Sequence, residues 1–89
     1  MRIRVIFLHR AAEIVPKGMR VIDVELREGA TLADLLEFIK NNVSGKLALG
    51  ILKRRLTVSI VVNDVPIVNL NYRLRNGDTV RFLTPTSGG

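Results

Sequence analysis

The chain contains no cysteine, no tryptophan and no glutamine, and its only histidine is His9. Without cysteine there can be no disulfide, no thiolate nucleophile and no cysteine-based zinc site. One histidine beside Arg10 makes no ligand cluster, and at that position it reads as a surface residue rather than a base. The aromatics are Phe7, Phe38, Tyr72 and Phe82, which offer few platforms for stacking bases. No apolar run approaches the roughly 18 residues of a membrane span, and Met1-Arg2-Ile3-Arg4 enters an alternating pattern with no signal-peptide block. These absences imply a cytoplasmic protein with no membrane partner, no metal and no bound cofactor.

What is present is an ordinary globular composition. Of 89 residues, 47% are apolar and 25% charged, enough for one self-standing domain and outside the disordered range. Fourteen Lys and Arg against eight acids give a net charge of +6, which would steer nucleic acid, anionic membranes or acidic proteins. The cations are spread from Arg2 to Arg81, however, and the only cluster is Lys53-Arg54-Arg55, so nucleic-acid binding ranks last among the functions considered.

Residues 1–8 alternate, with Met1, Ile3, Val5 and Phe7 on one side, and predict a strand with one buried face. Pro16-Lys17-Gly18 is turn chemistry leading to a second strand over 20–26, whose Asp23 and Glu25 could lie opposite Arg2 and Arg4. Thr31 with Asp34 three residues later is a capping box for a helix starting at Leu32, where Leu32, Leu35, Leu36, Ile39 and Val43 make a buried stripe. Residues 46–56 fit either a short second helix or a packed loop. Strands follow at 57–63 and 65–68, the latter an edge because Pro66 cannot donate to a ladder, and at 79–83 after the turn Arg75-Asn76-Gly77-Asp78. The result is an α+β domain over 1–83, a five-stranded sheet on one main helix. A single helix covers only one side of such a sheet, leaving Ile6, Leu8, Val61, Arg81 and Leu83 on an open face suited to docking a partner.

Residues 84–89 then form an extended tail, Thr84-Pro85-Thr86-Ser87-Gly88-Gly89. A terminal carboxylate is ionised at neutral pH and is a poor electrophile, but conversion to a mixed anhydride opens its acyl carbon to sulfur or an amine. Two glycines remove every Cβ that could obstruct a narrow channel, and six extended residues reach roughly 20 Å. Such a tail can enter another protein's site while the body stays outside.

The order ββαβββ, the Val62-Asn63-Asp64 turn, the Gly77-Asp78 pair before an apolar strand, the Pro85-bearing segment and the closing Gly88-Gly89 together resemble the ThiS/MoaD family of β-grasp sulfur carriers and their ubiquitin-like relatives. The similarity runs over the whole chain. Its length and Phe7-Leu8-His9-Arg10-Ala11-Ala12-Glu13-Ile14 are similar to the small subunit of molybdopterin synthase. The resemblance implies a mixed sheet and a chain that is not itself an enzyme. An E1-like partner would adenylate Gly89 with ATP, and a persulfide donor would convert it to a thiocarboxylate for a sulfur-accepting synthase large subunit. Gly88, Ser87, Thr86, Pro85 and Thr84 would thread the partner's channel. The alternatives are a ubiquitin-like modifier joined through Gly89 to target-protein lysines, or a small basic nucleic-acid binder. Molybdopterin precursor, thiamine intermediate, tRNA base and protein lysine all fit the same activated end.

Overall fold

The computed structural model describes residues 1–85. Five strands, β1 (Arg2–Leu8), β2 (Val21–Glu25), β3 (Ser59–Val62), β4 (Val65–Pro66) and β5 (Thr79–Leu83), form one sheet in the order β2-β1-β5-β3-β4. β1 and β5 run parallel, and the β1–β2, β3–β5 and β3–β4 pairs are antiparallel, so the sheet is mixed. The helices are α1 (Arg10–Ile14), α2 (Leu32–Asn42) and α3 (Gly45–Leu52).

Alternation sorts the strands into two faces. Ile3, Val5 and Phe7 of β1, Val80 and Phe82 of β5, and Ile60 and Val62 of β3 are between 0 and 6% exposed. They form one core with Leu35, Leu36 and Ile39 of α2 and with Leu47 and Ala48 of α3. Phe7 and Phe82, adjacent in the parallel register, stack with ring centroids 5.5 Å apart. Burial of side chains of this size contributes about 1.5–3 kcal/mol each, which makes this layer the main source of stability.

The predicted capping box at α2 is complete. Asp34 N–H donates to Thr31 Oγ1 at 3.3 Å, and Thr31 N–H donates to Asp34 Oδ2 at 2.8 Å. The Thr31 backbone donor holds the Asp34 carboxyl below its usual range; the Thr31 hydroxyl and the Arg27 charge act in the same direction, against desolvation. Two further helix-entry donors, Leu32 N–H and Ala33 N–H, reach the carbonyls of Tyr72 and Leu70, so the long segment before β5 also closes the head of α2.

Residues 46–56 resolve into most of α3 and a tight exit. Ser44 Oγ accepts from Leu47 N–H at 3.1 Å at the helix start. At its end Arg55 N–H bonds Gly50 O and Arg54 N–H bonds Ile51 O, with Arg54 at φ 57, a Schellman ending in which arginine holds the left-handed position usually given to glycine. The helical cover is therefore shared between α2 and α3, where the sequence pattern gave one main helix. The β1–β2 connection also contains α1 ahead of the Pro16-Lys17-Gly18 turn, and the strands expected at 57–63 and 65–68 shorten to β3 and β4.

Asn63 and Asp64 turn β3 into β4 with φ of 48° and 70°, the doubly left-handed geometry of a two-residue hairpin that Asn and Asp tolerate. Across β1 and β2, Arg2 lies opposite Glu25 and Arg4 opposite Asp23, with Arg4 Nε 3.2 Å from Asp23 Oδ1.

Candidate functional site

The site is built around the end of β5. That strand is gripped on both sides, by β1 in parallel and by β3 in antiparallel, so the segment leaving it starts from the centre of the sheet. Its entry is fixed by side chains of the two turns that the sequence singles out. Asn63 Nδ2 donates to Asp78 Oδ1 at 2.7 Å, Thr79 N–H donates to Asn63 Oδ1 at 3.0 Å, and Arg75 N–H donates to Asp78 Oδ2 at 2.8 Å. Arg2 N–H donates to Asn76 Oδ1, and Gly77 N–H, from a left-handed residue at φ 89, donates to Arg2 O. Asn63 and Asp78 are thus structural: they set the position of β5 between its neighbours.

Its exit is fixed by Thr84. β1 ends at Leu8, His9 takes φ 57 and ψ −129, and Arg10 opens α1 with a backbone N–H that has no partner within the helix. Thr84 Oγ1 accepts that N–H at 2.9 Å, and Thr84 is only 7% exposed. Thr84 therefore belongs to the folded body, where the sequence reading assigns it to the tail, because its hydroxyl caps a helix 74 residues away. Pro85 is exposed. Thr86, Ser87, Gly88 and Gly89, the rest of the threading segment and the group expected to react, lie outside the described residues.

The five residues expected on the open face are brought together. Ile6 lies beside Arg81, Arg81 opposite Val61, and Leu8 beside Leu83, and all five are partly exposed. Register adds two that pattern alone did not select. Val21 pairs with Ile6 and Pro66 with Val61, so that Val21, Ile6, Arg81, Val61 and Pro66 form a single rung across all five strands. Outward alternation in 20–26 is the signal that could have identified Val21. Arg81 Nη1 lies 3.4 Å from Asp64 Oδ1 in an exposed pair, an arrangement worth at most about 1 kcal/mol and easily exchanged for a partner's acid.

Among the described residues no group of three His, Cys, Asp or Glu side chains is placed to hold a metal ion, and every buried side-chain nitrogen or oxygen has a hydrogen-bond partner. No described helix is long and apolar enough to cross a membrane. His9 is exposed at the start of α1. The arrangement offers a rooted strand end next to an apolar face with cations on it.

The ThiS family model matches residues 5–89. Among curated proteins no sequence matches the chain. Among solved structures, one from Pyrococcus furiosus, described as subunit 1 of a molybdopterin converting factor, aligns with TM-score 0.74 at 25% identity, covering 97% of this chain and 99% of that one. One chain of a complex of subunits 1 and 2 of the molybdopterin-converting factor from Helicobacter pylori aligns with TM-score 0.66 at 24% identity, covering 100% of this chain and 100% of that one. SAMP1 from Haloferax volcanii aligns with TM-score 0.71 at 20% identity, again over 100% of both. The fold is the ubiquitin-like β-grasp.

Proposed function

The chain belongs to the ThiS family, and from that premise we propose that it is a sulfur carrier whose Gly89 carboxylate is the reacting group, serving molybdopterin synthesis. The observation that carries this reading is the family match through residue 89 on a body whose central strand, β5, is the last and has an open apolar face beside its end at Leu83. The likeness at 25% identity to a molybdopterin converting factor subunit supports that acceptor over the thiamine and tRNA ones.

In the proposed reaction an E1-like partner positions the Gly89 carboxylate against ATP. A carboxylate oxygen attacks the α-phosphorus, pyrophosphate leaves, and the acyl adenylate forms. A persulfide sulfur from the donor then attacks the acyl carbon and displaces AMP, and reduction of the sulfur–sulfur bond by a thiol releases the thiocarboxylate. The chain is substrate throughout and contributes no catalytic group; ATP is held by the partner. Gly88 leaves the channel unobstructed. With Thr84 anchored, residues 85–89 supply the reach, about 17 Å when extended. Ile6, Leu8, Val61, Arg81 and Leu83 form the surface on which the activating enzyme, and later the synthase large subunit, docks. The pairing of subunits 1 and 2 in the Helicobacter pylori complex supports such a large subunit as the second partner.

Intact-mass spectrometry after incubation with the activating enzyme, ATP and a sulfide source tests the reading. The expected product gains the mass difference between sulfur and oxygen, and a bulky residue appended after Gly89 abolishes that gain without unfolding the protein. Adenylation followed only by conjugates to protein lysines would replace the carrier by a modifier, and no adenylation at all would overturn both.

A further inference from the structure

The basic cluster Lys53-Arg54-Arg55 has no part in the reading above. It sits at the Schellman ending of α3. Two adjoining depressions lie there, of about 310 and 360 Å³, sharing Lys46 and Leu56. Their floor is aliphatic, made by Ile14, Leu49 and Leu56, and Leu49 is 40% exposed. Leu56 reaches this position because Gly50 has no side chain: a Cβ there would stand 2.5 Å from Leu56 Cδ1. The rim carries the exposed cations Arg10, Lys46, Lys53 and Arg55, and one acid, Glu13.

Local stability does not account for these charges. None of the four rim cations appears in an ion pair among the described residues. Arg10 and Lys46 occupy the first turns of α1 and α3, where the helix dipole disfavours a cation. The middle residue, Arg54, takes the strained left-handed position, and its side chain lines a different depression with Leu52 and Val68. The turn thus aims Lys53 and Arg55 to one side and Arg54 to the other.

We propose that the groove between α1 and the end of α3 binds an acidic protein segment bearing aliphatic side chains, whose carboxylates meet Arg10, Lys46, Lys53 and Arg55 while its aliphatic groups rest on Leu49 and Leu56. Charge complementarity selects an anion, and the floor selects its class. Single-stranded nucleic acid needs aromatic surfaces for its bases, and no aromatic residue lines either depression. Ile6 and Val61 line neither depression, so the groove is distinct from the open sheet face.

Fluorescence anisotropy tests this with a labelled peptide of repeating Glu-Glu-Leu-Leu, compared with an oligo-glutamate and an oligo-uridylate of equal charge. The Glu-Leu peptide is expected to bind most tightly. Lys46→Ala combined with Lys53→Ala should weaken it roughly tenfold, and the charge-preserving Lys46→Arg with Lys53→Arg should retain binding. Leu49→Ser should weaken the Glu-Leu peptide and leave oligo-glutamate unaffected. Arg54→Gly removes a charge from the same turn but not from the groove, and should change affinity less than Lys53→Ala does. Equal binding of oligo-glutamate, tighter binding of oligo-uridylate, equal losses from Arg54→Gly and Lys53→Ala, or no binding of the peptide would each overturn the proposal. Deleting Gly88 and Gly89 should leave peptide binding intact, so the result is read independently of the chemistry at Gly89.

Discussion

The two faces of the sheet are made of similar residues and have opposite fates. On β1, Val5 and Phe7 are buried while Ile6 and Leu8 are partly exposed; on β3, Ile60 and Val62 are buried while Val61 is not; on β5, Val80 and Phe82 are buried while Arg81 and Leu83 are not. Strands apolar on both sides are usual where helices cover both sides of a sheet. Here α2 and α3 cover one. Aliphatic side chains on the uncovered side do little for the isolated domain and supply most of what a partner's apolar surface would need. One face therefore holds the fold together and the other is free to change without endangering it.

Substitutions can break that contrast if it is wrong. Phe82→Ala, on the covered side and stacked on Phe7, should have the largest effect, about 3–5 kcal/mol, enough to lower the midpoint of thermal unfolding by more than about 12 °C in a domain of this size. Asn63→Ala removes two bonds that fix the entry of β5 and leaves the buried Asp78 short of a donor; urea unfolding should register a loss of about 2 kcal/mol. Thr31→Ala, which deletes the cap of the covering helix, should cost about 1 kcal/mol by the same measurement.

The companion prediction concerns pH. The Asp34 carboxyl titrates lower in the folded chain than in the unfolded one, so its contribution is fully present above the ordinary carboxylate range and disappears as pH falls through the folded value. Asp34→Asn should therefore flatten the decline of stability with acid below about pH 4. Smallest of all should be Val61→Ser on the open side, within about 0.5 kcal/mol in unfolding. That variant sharpens the comparison if it also weakens the activation proposed for Gly89. Destabilisation approaching that of Phe82→Ala would abolish the distinction between the faces.

The parts of this architecture that could be read from residues alone are those with a strong period or a local cap. β1, β5 and α2 have them, and their limits agree with the sequence to within a residue or two. α1 and α3 do not. Residues 10–14 are too few to show a period, and their start depends on Thr84, far along the chain. Gly45-Lys46-Leu47-Ala48-Leu49-Gly50-Ile51-Leu52 is apolar on nearly every side and contains two glycines, so helix and packed loop leave the same trace. The parallel pairing of β1 with β5 has no local signature; the resemblance implied only that the sheet is mixed. For the site, alternation identified which residues face outward, but the rung joining Val21 to Pro66 needs the register. Lys53-Arg54-Arg55 was visible as a cluster, whereas the groove was not, since Arg10 and Lys46 come from other elements.

The placement of β5 also bears on synthesis. The strand in the middle of the sheet comes from residues 79–83, while the other four strands are all made earlier. Until it emerges from the ribosome the nascent chain holds two separate hairpins with no strand in common, and isolated hairpins are marginal in water. A product released before residue 79 would lack the element that welds its halves. Translation past that point joins the two halves through β5, so the strand made last is the one that completes the sheet.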